Sequence, residues 1–202
     1  MKTLLIVDVQ NDFMQGGALE VPDADSIVPV INDMQNKFDL VVATQDWHPP
    51  SHKSFATNHP DKEPLTKITW KGIEQMLWPD HCVQGTSGAD FFPLLNTTPV
   101  ETIFRKGIDE DYDSYSGFYD NGHKKDTGLA GYLKARGVKD LYVCGLAADV
   151  CVYYTLLDAV DSGFSVTLIL DGTKALDKGN FSEQQKQLKQ KGVAFKKSTE
   201  LF

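Results

Sequence analysis

Apolar residues fall along the chain in short, nearly unbroken runs: Leu4 to Val7, Leu40 to Ala43, Leu141 to Cys144 and Val166 to Leu170. A weaker run covers Glu101 to Phe104, and Val193 to Phe195 forms a last one. Continuous apolarity bounded by turn residues predicts strands buried on both faces, whereas a half-exposed strand alternates. Between the runs the spacing becomes helical. Ile27, Val30, Ile31 and Met34 share one face; Leu129, Tyr132 and Leu133 precede Gly137; Val152, Thr155, Leu156 and Ala159 precede Gly163. Glycine just past such a segment is a usual helix stop. Asn180 to Lys191 is polar with few apolar anchors, which predicts a surface helix. This alternation predicts an α/β three-layer sandwich, a mainly parallel sheet of about six strands with helices on both faces.

Two stretches break the rhythm. Residues 45–82 hold Pro49, Pro50, Pro60, Pro64 and Pro79 together with four of the five histidines, and residues 107–126 are rich in Asp, Tyr, Ser and Gly. Connections this long are commonly functional. At 202 residues the chain reads as a single domain, 1–202, with a metal-bearing loop insertion at about 45–90. Acidic side chains outnumber basic ones 28 to 20, which argues against a nucleic-acid or anionic-membrane partner. No apolar stretch approaches a membrane helix, and the odd set Cys82, Cys144 and Cys151 suggests free thiols in a reducing, cytoplasmic setting.

In a parallel sheet, ligands bind beyond the carboxyl ends of the strands. Asp8 follows the first run, Asp46 and His48 the second, and Arg105 and Lys106 the weaker one; Gly145 to Val150 leads into Cys151 at a helix start. An acid, a base, a thiol and metal-type ligands therefore converge on one edge. A helix N-terminus and a nearby cation lower a thiol's pKa, so Cys151 is a candidate nucleophile, Lys106 a candidate cation and Asp8 a candidate base. Each also has a plain structural reading: a small buried hydrophobe, a surface lysine, a solvated carboxylate. Cys144 belongs to the core, and Arg105 points away from Lys106 by strand alternation. Asp46 and His48 lie two apart and share a face, and His81 would complete a carboxylate and two imidazoles suited to zinc, iron or manganese. His52 is the best further ligand; His59 and His123 face solvent in this reading. Phe13, Trp78, Tyr115 and Phe118 could wall a planar substrate.

The segments VDVQNDF (7–13), TQDWHPPSHKSFA (44–56), WPDHCVQGTSGAD (78–90), FRKG with DSYSGF (104–118) and GLAADVCV (145–152) resemble the nicotinamidases, also called pyrazinamidases, of the isochorismatase-like cysteine hydrolases. The resemblance spans roughly residues 3–200. It implies a catalytic triad of Asp8, Lys106 and Cys151; a divalent metal, zinc first with iron or manganese as alternatives, on Asp46, His48 and His81; and in some relatives a fourth ligand at a place like His52. It also implies a cis peptide at Leu146-Ala147, an oxyanion hole of the Ala147 and Cys151 N–H groups, and a nicotinamide ring flanked by Phe13 and Trp78, with Tyr115 a weaker correspondence. A homo-oligomer is compatible with the family. Ala148 stands where relatives commonly carry Thr, which removes one hydroxyl beside the nucleophile turn. The implied reaction is hydrolysis of nicotinamide to nicotinic acid and ammonia through a Cys151 thioester, with pyrazinamide also accepted. Two rivals remain at this point: another carbamoyl or ureido amidase of the same superfamily, and a silent binding module on the same fold.

Overall fold

The computed structural model describes residues 1–201. Its main sheet is built from β1 (Lys2–Val7), β2 (Leu40–Asp46), β5 (Val100–Lys106), β6 (Asp140–Gly145), β7 (Ser165–Thr173) and β8 (Ala194–Lys196). All its pairings are parallel, in the order β5-β2-β1-β6-β7-β8. Leu4 and Ile6 pack on one face with Val41, Ala43, Cys144 and Ile169. Leu5 and Val7 pack on the other with Val42, Val143 and Leu168. Burial on both faces is why these strands read as unbroken apolar runs. The weak run is β5, an edge strand whose Glu101, Ile103 and Arg105 are exposed.

α1 (Ile27–Gln35) and the segments around Val9–Ala24 and Cys82–Leu95, largely irregular with short 3-10 turns, cover one face. α2 (Leu129–Ala135), α3 (Cys151–Asp161) and α4 (Lys178–Gln190) cover the other. In α1 the buried positions are Ile27, Val28, Ile31, Met34 and Gln35, while Val30 is only half-buried. Val28 shares the buried face with Ile31 and Gln35, three and seven positions on, and Val30 falls at its margin. Leu188 alone of α4 is buried, as a surface helix requires. The proline-rich stretch contains a hairpin that its composition hides: β3 (Lys67–Trp70) pairs antiparallel with β4 (Ile73–Met76) across Lys71 and Gly72, both at positive φ. Lys-Gly supplies the left-handed turn that Asn-Gly usually signals.

The chain runs outward from β1 to β2 and β5 on one side and from β6 to β7 and β8 on the other. The connections diverge between β1 and β6, opening a crevice at the carboxyl ends of those strands.

Candidate active site and metal centre

Asp8 leaves β1 directly into that crevice, fully buried. Its Oδ1 accepts a hydrogen bond from the Thr44 hydroxyl of β2 at 2.7 Å, and its Oδ2 lies 2.9 Å from the Lys106 ammonium at the end of β5. The same ammonium is 3.1 Å from Asp46 Oδ1, donates to the Ser114 carbonyl at 2.8 Å and stands 3.4 Å from Cys151 Sγ. Carboxylate oxygens of Asp8 and Asp46 and the Cys151 sulfur all lie within 4.8 Å of one another. The three residues expected to converge do converge.

Their electrostatics correct one expectation. Burial pushes the Cys151 thiol well up, and the pull of Lys106 does not overcome it. One ammonium, already shared with two carboxylates, is too little to offset desolvation of a thiolate. Burial likewise raises the Asp8 carboxyl, against the opposing Lys106 charge. Lys106 itself is desolvated, but Asp46 and Asp8 outweigh that and hold it well above its ordinary range. The cluster is a cation set between carboxyl and thiol, with one acidic proton to exchange between them.

The nucleophile turn follows from a close approach of two strands. Gly145 ends β6 at φ +110°, and a Cβ there would stand 2.0 Å from the Val7 carbonyl oxygen, so only glycine fits. The Leu146-Ala147 peptide is cis. The Ala148 N–H donates to the Lys174 carbonyl at 2.7 Å, and the Asp149 carboxylate accepts from the Leu176 and Asp177 N–H groups at 2.8 and 2.9 Å. The turn is thus tied to the segment after β7, and no hydroxyl at position 148 takes part. Cys151 is the first residue of α3, where backbone N–H groups lack intrahelical acceptors and favour negative charge.

Asp46, His48 and His81 bring one ligand atom each within 4.8 Å. His48 Nδ1 donates to the Gly107 carbonyl at 2.9 Å and His81 Nδ1 to the Pro79 carbonyl at 2.8 Å. A carbonyl can only accept, so each ring turns its Nε2 inward, at 3.2 and 3.7 Å from the two Asp46 oxygens. This arrangement of carbonyl-anchored imidazoles is the usual support of a metal-binding histidine. His48 Nε2 and Asp46 Oδ1 are buried and face each other, the oxygen also beside the Lys106 ammonium, yet neither makes a hydrogen bond of good geometry, an arrangement that a divalent cation would satisfy. Burial opposes charge on Asp46, yet His48 and Lys106 outweigh it and hold the carboxyl well down. Burial opposes charge on His48 also, and Asp46 outweighs it, holding the imidazole up. Binding of a cation there would release that proton. His52 differs: the Ser54 N–H donates to its Nδ1 at 3.2 Å, and burial followed by the His48 charge lowers it to about 4. The Ser54 hydroxyl, 2.7 Å from the same Nδ1, can give or take a hydrogen there, and His52 brings a ring nitrogen within 4.8 Å of ligand atoms of His48 and Asp113, so the neutral ring can serve as a further ligand.

Phe13, Trp78 and Tyr115 line one small pocket with Ala147, Cys151, Asp46 and His81. The Trp78 indole donates to the Tyr115 hydroxyl at 3.2 Å, and the Phe13 ring stands 5.6 Å from His81. Phe118 is not part of this wall; it packs in the core against Phe164. His59 is half-buried, its Nε2 on the Lys53 carbonyl, and His123 is exposed. Arg105 points away from Lys106 as strand alternation requires and stacks on Trp47 at 3.8 Å. The sequence reading passed over Leu19, Asp113, Val150 and Leu176 in the pocket. Asp113 opens the DSYSGF segment and is a buried acid in a functional loop, which is a usable signal; the three aliphatic residues carry none.

Gly107 closes the metal side. At φ +64°, it would place a Cβ 2.3 Å from His48 Cε1. Gly107→Ala is therefore expected to displace the ring and weaken metal binding by about tenfold or more. Metal content after dialysis against limiting zinc measures this, and a full complement would contradict it.

Comparison with known proteins agrees with the geometry. The isochorismatase domain model matches residues 2–200. A nicotinamidase of Acinetobacter baylyi is 47% identical over 174 residues, covering 86% of this chain and 81% of that protein. The solved structure of a nicotinamidase/pyrazinamidase from Acinetobacter baumanii superposes with a TM-score of 0.97 at 47% identity, covering 100% of this chain and 98% of that one. A pyrazinamidase of Pyrococcus horikoshii solved in complex with zinc gives 0.80 at 36% identity, covering 97% and 98%. With the cysteine, lysine and aspartate at the switch point and a family model running almost end to end, this chain belongs to the isochorismatase domain family.

Proposed function

We propose that the chain is a nicotinamidase, a cysteine amidohydrolase that converts nicotinamide to nicotinic acid and ammonia. The observation that carries this reading is the buried ion cluster of Asp8, Lys106 and Cys151 opening into a small aromatic pocket beside Asp46, His48 and His81. The relatives named above support the choice of substrate.

Asp8 takes the thiol proton as the Cys151 sulfur attacks the amide carbonyl carbon, and Lys106 steadies the charges on both. The carbonyl oxygen, now negative, is held by the Ala147 and Cys151 N–H groups. The protonated Asp8 gives its proton to the departing nitrogen, the C–N bond breaks, and ammonia leaves a thioester on Cys151. A water molecule then attacks the thioester carbon with Asp8 as base. The C–S bond breaks, the proton returns to the thiolate, and nicotinic acid is released. Phe13 and Trp78 hold the ring and exclude water, with Tyr115 bracing Trp78. Asp46, His48 and His81 would hold a divalent ion, which supplies a Lewis acid to fix the pyridine nitrogen. Zinc is our first choice, given the donor set and the zinc-bound relative, with iron or manganese able to substitute. Pyrazinamide presents a ring nitrogen at the same place and is expected to be turned over. Among the described residues no helix is long and apolar enough to cross a membrane. The three free, buried thiols favour a reducing cytoplasm.

Ammonia release from purified protein, assayed with nicotinamide, pyrazinamide and a panel of carbamoyl and ureido compounds, tests the assignment. Turnover of the two ring amides supports it. Turnover of the carbamoyl or ureido compounds alone would move the chain to another branch, and none at all would make it a binding module. His48→Ala should lose the metal and raise KM for nicotinamide about 10- to 100-fold. Unchanged metal content would remove His48 from the ligand set.

A further inference from the structure

The reaction makes no use of Gln10, yet its side chain is fully buried and spends all its polar atoms on the neighbourhood of one metal-type ligand. Its Oε1 accepts the Asp46 N–H at 2.8 Å, and its Nε2 donates to the Asp46 carbonyl at 2.8 Å and to the Ala89 carbonyl at 2.8 Å. The β1–β2 register ends at Ile6 and Ala43, short of Asp46. The backbone of Asp46 has therefore lost its β1 neighbour where its carboxylate must be aimed. The Gln10 amide replaces that neighbour and grips both polar groups of the residue. A looser Asp46 would disturb its spacing to His48, His81 and Lys106 together, because one carboxylate serves all three.

We propose that Gln10 is a positioning residue for the metal centre, setting the Asp46 carboxylate in register with both imidazoles from the same segment that carries Asp8. This rests on the reading of Asp46 as a metal ligand. A general role in holding the 82–95 segment is separable, because Gln45 Nε2 donates to the same Ala89 carbonyl at 2.9 Å while no side-chain bond joins it to Asp46.

The test is a Co2+ titration of the whole, chelator-stripped protein, read by visible d–d absorption and by competition with a chelator. Wild type, Gln10→Met, Gln10→Glu, Gln45→Met and Asp46→Asn are compared, with thermal unfolding of each metal-free protein recorded alongside. Gln10→Met is expected to weaken Co2+ binding about 10- to 100-fold and to shift the absorption bands. Gln45→Met should leave affinity and bands near wild type. Gln10→Met matching Gln45→Met in both would overturn the inference. Should Gln10→Met not fold, Gln10→Glu decides by the same readouts, since it retains the acceptor for the Asp46 N–H and loses the donor to its carbonyl. Asp46→Asn binding Co2+ like wild type, or wild type binding none, would instead bring down the metal reading beneath the inference.

Discussion

Replacing Cys151 by alanine is expected to abolish ammonia release from nicotinamide, with a fall of about 10⁴- to 10⁶-fold, the scale seen when a nucleophile acting as a unit with its base is removed. The variant should fold. The sulfur's polar contact is the Lys106 ammonium at 3.4 Å, and that ammonium keeps Asp8, Asp46 and the Ser114 carbonyl. Losing one buried thiol costs on the order of 1 kcal/mol. None of Asp46, His48 and His81 depends on Cys151, so metal content should match wild type. That pairing makes the experiment specific, because a collapsed site would lose turnover and metal together. Wild-type rates of ammonia release from Cys151→Ala would remove the thiol from the mechanism. Rapid quench of the native enzyme, followed by mass spectrometry of the peptide containing Cys151, should show the acyl adduct on that residue.

Lys106→Met is expected to be the most destabilising single change in the site. Lys106 is 2% exposed and is the cation set between two buried carboxylates, at 2.9 and 3.1 Å. Truncating one partner of a buried ion cluster leaves charge without compensation, a loss of about 3–5 kcal/mol. Urea unfolding of the metal-stripped protein measures it. Activity should fall as well, since Asp8, already raised by burial, loses the charge that opposes the rise and stays protonated. A proton-bearing carboxyl cannot take the thiol proton. Adding Asp8→Asn to Lys106→Met should change the stability little and restore no activity, because Asp8 is already uncharged in Lys106→Met and an amide is no base; the charge left stranded there is that of Asp46. An unchanged urea midpoint for Lys106→Met would show that solvent reaches the cluster, contrary to its burial.

Much of this molecule is legible from local pattern. Leu5 and Val7 face one core and Leu4 and Ile6 the other, so an unbroken apolar run was the correct signature of a strand covered twice. The β3–β4 hairpin was not legible, because its turn uses Lys71 and Gly72 in place of the usual dipeptide and its strands are largely exposed. Phe118 and Tyr115 lie three residues apart in one loop, but one enters the core and the other the pocket. Neither spacing nor residue type separates them, since aromatic rings suit both places. His52 shows the same limit for ligands. Its position in the motif marks it as a further ligand, but only the packed site shows that its neighbours there are His48 and Asp113, with Ser54 on its Nδ1.

Sequence alone determined the order of the six main-sheet strands and the four helices, the end of the sheet at which polar residues accumulate, and the chemical types present there, because these follow from short-range periodicity and from parallel pairing. Tertiary structure decided that one ammonium serves Asp8, Asp46 and Cys151 at once, that the thiol is held up and not lowered, and that Gln10 grips the backbone of Asp46. Those outcomes depend on distances between segments up to 143 positions apart in the chain, and on how completely water is excluded around them. Coulombic and desolvation energies of comparable size oppose one another there, and only packed coordinates show which prevails.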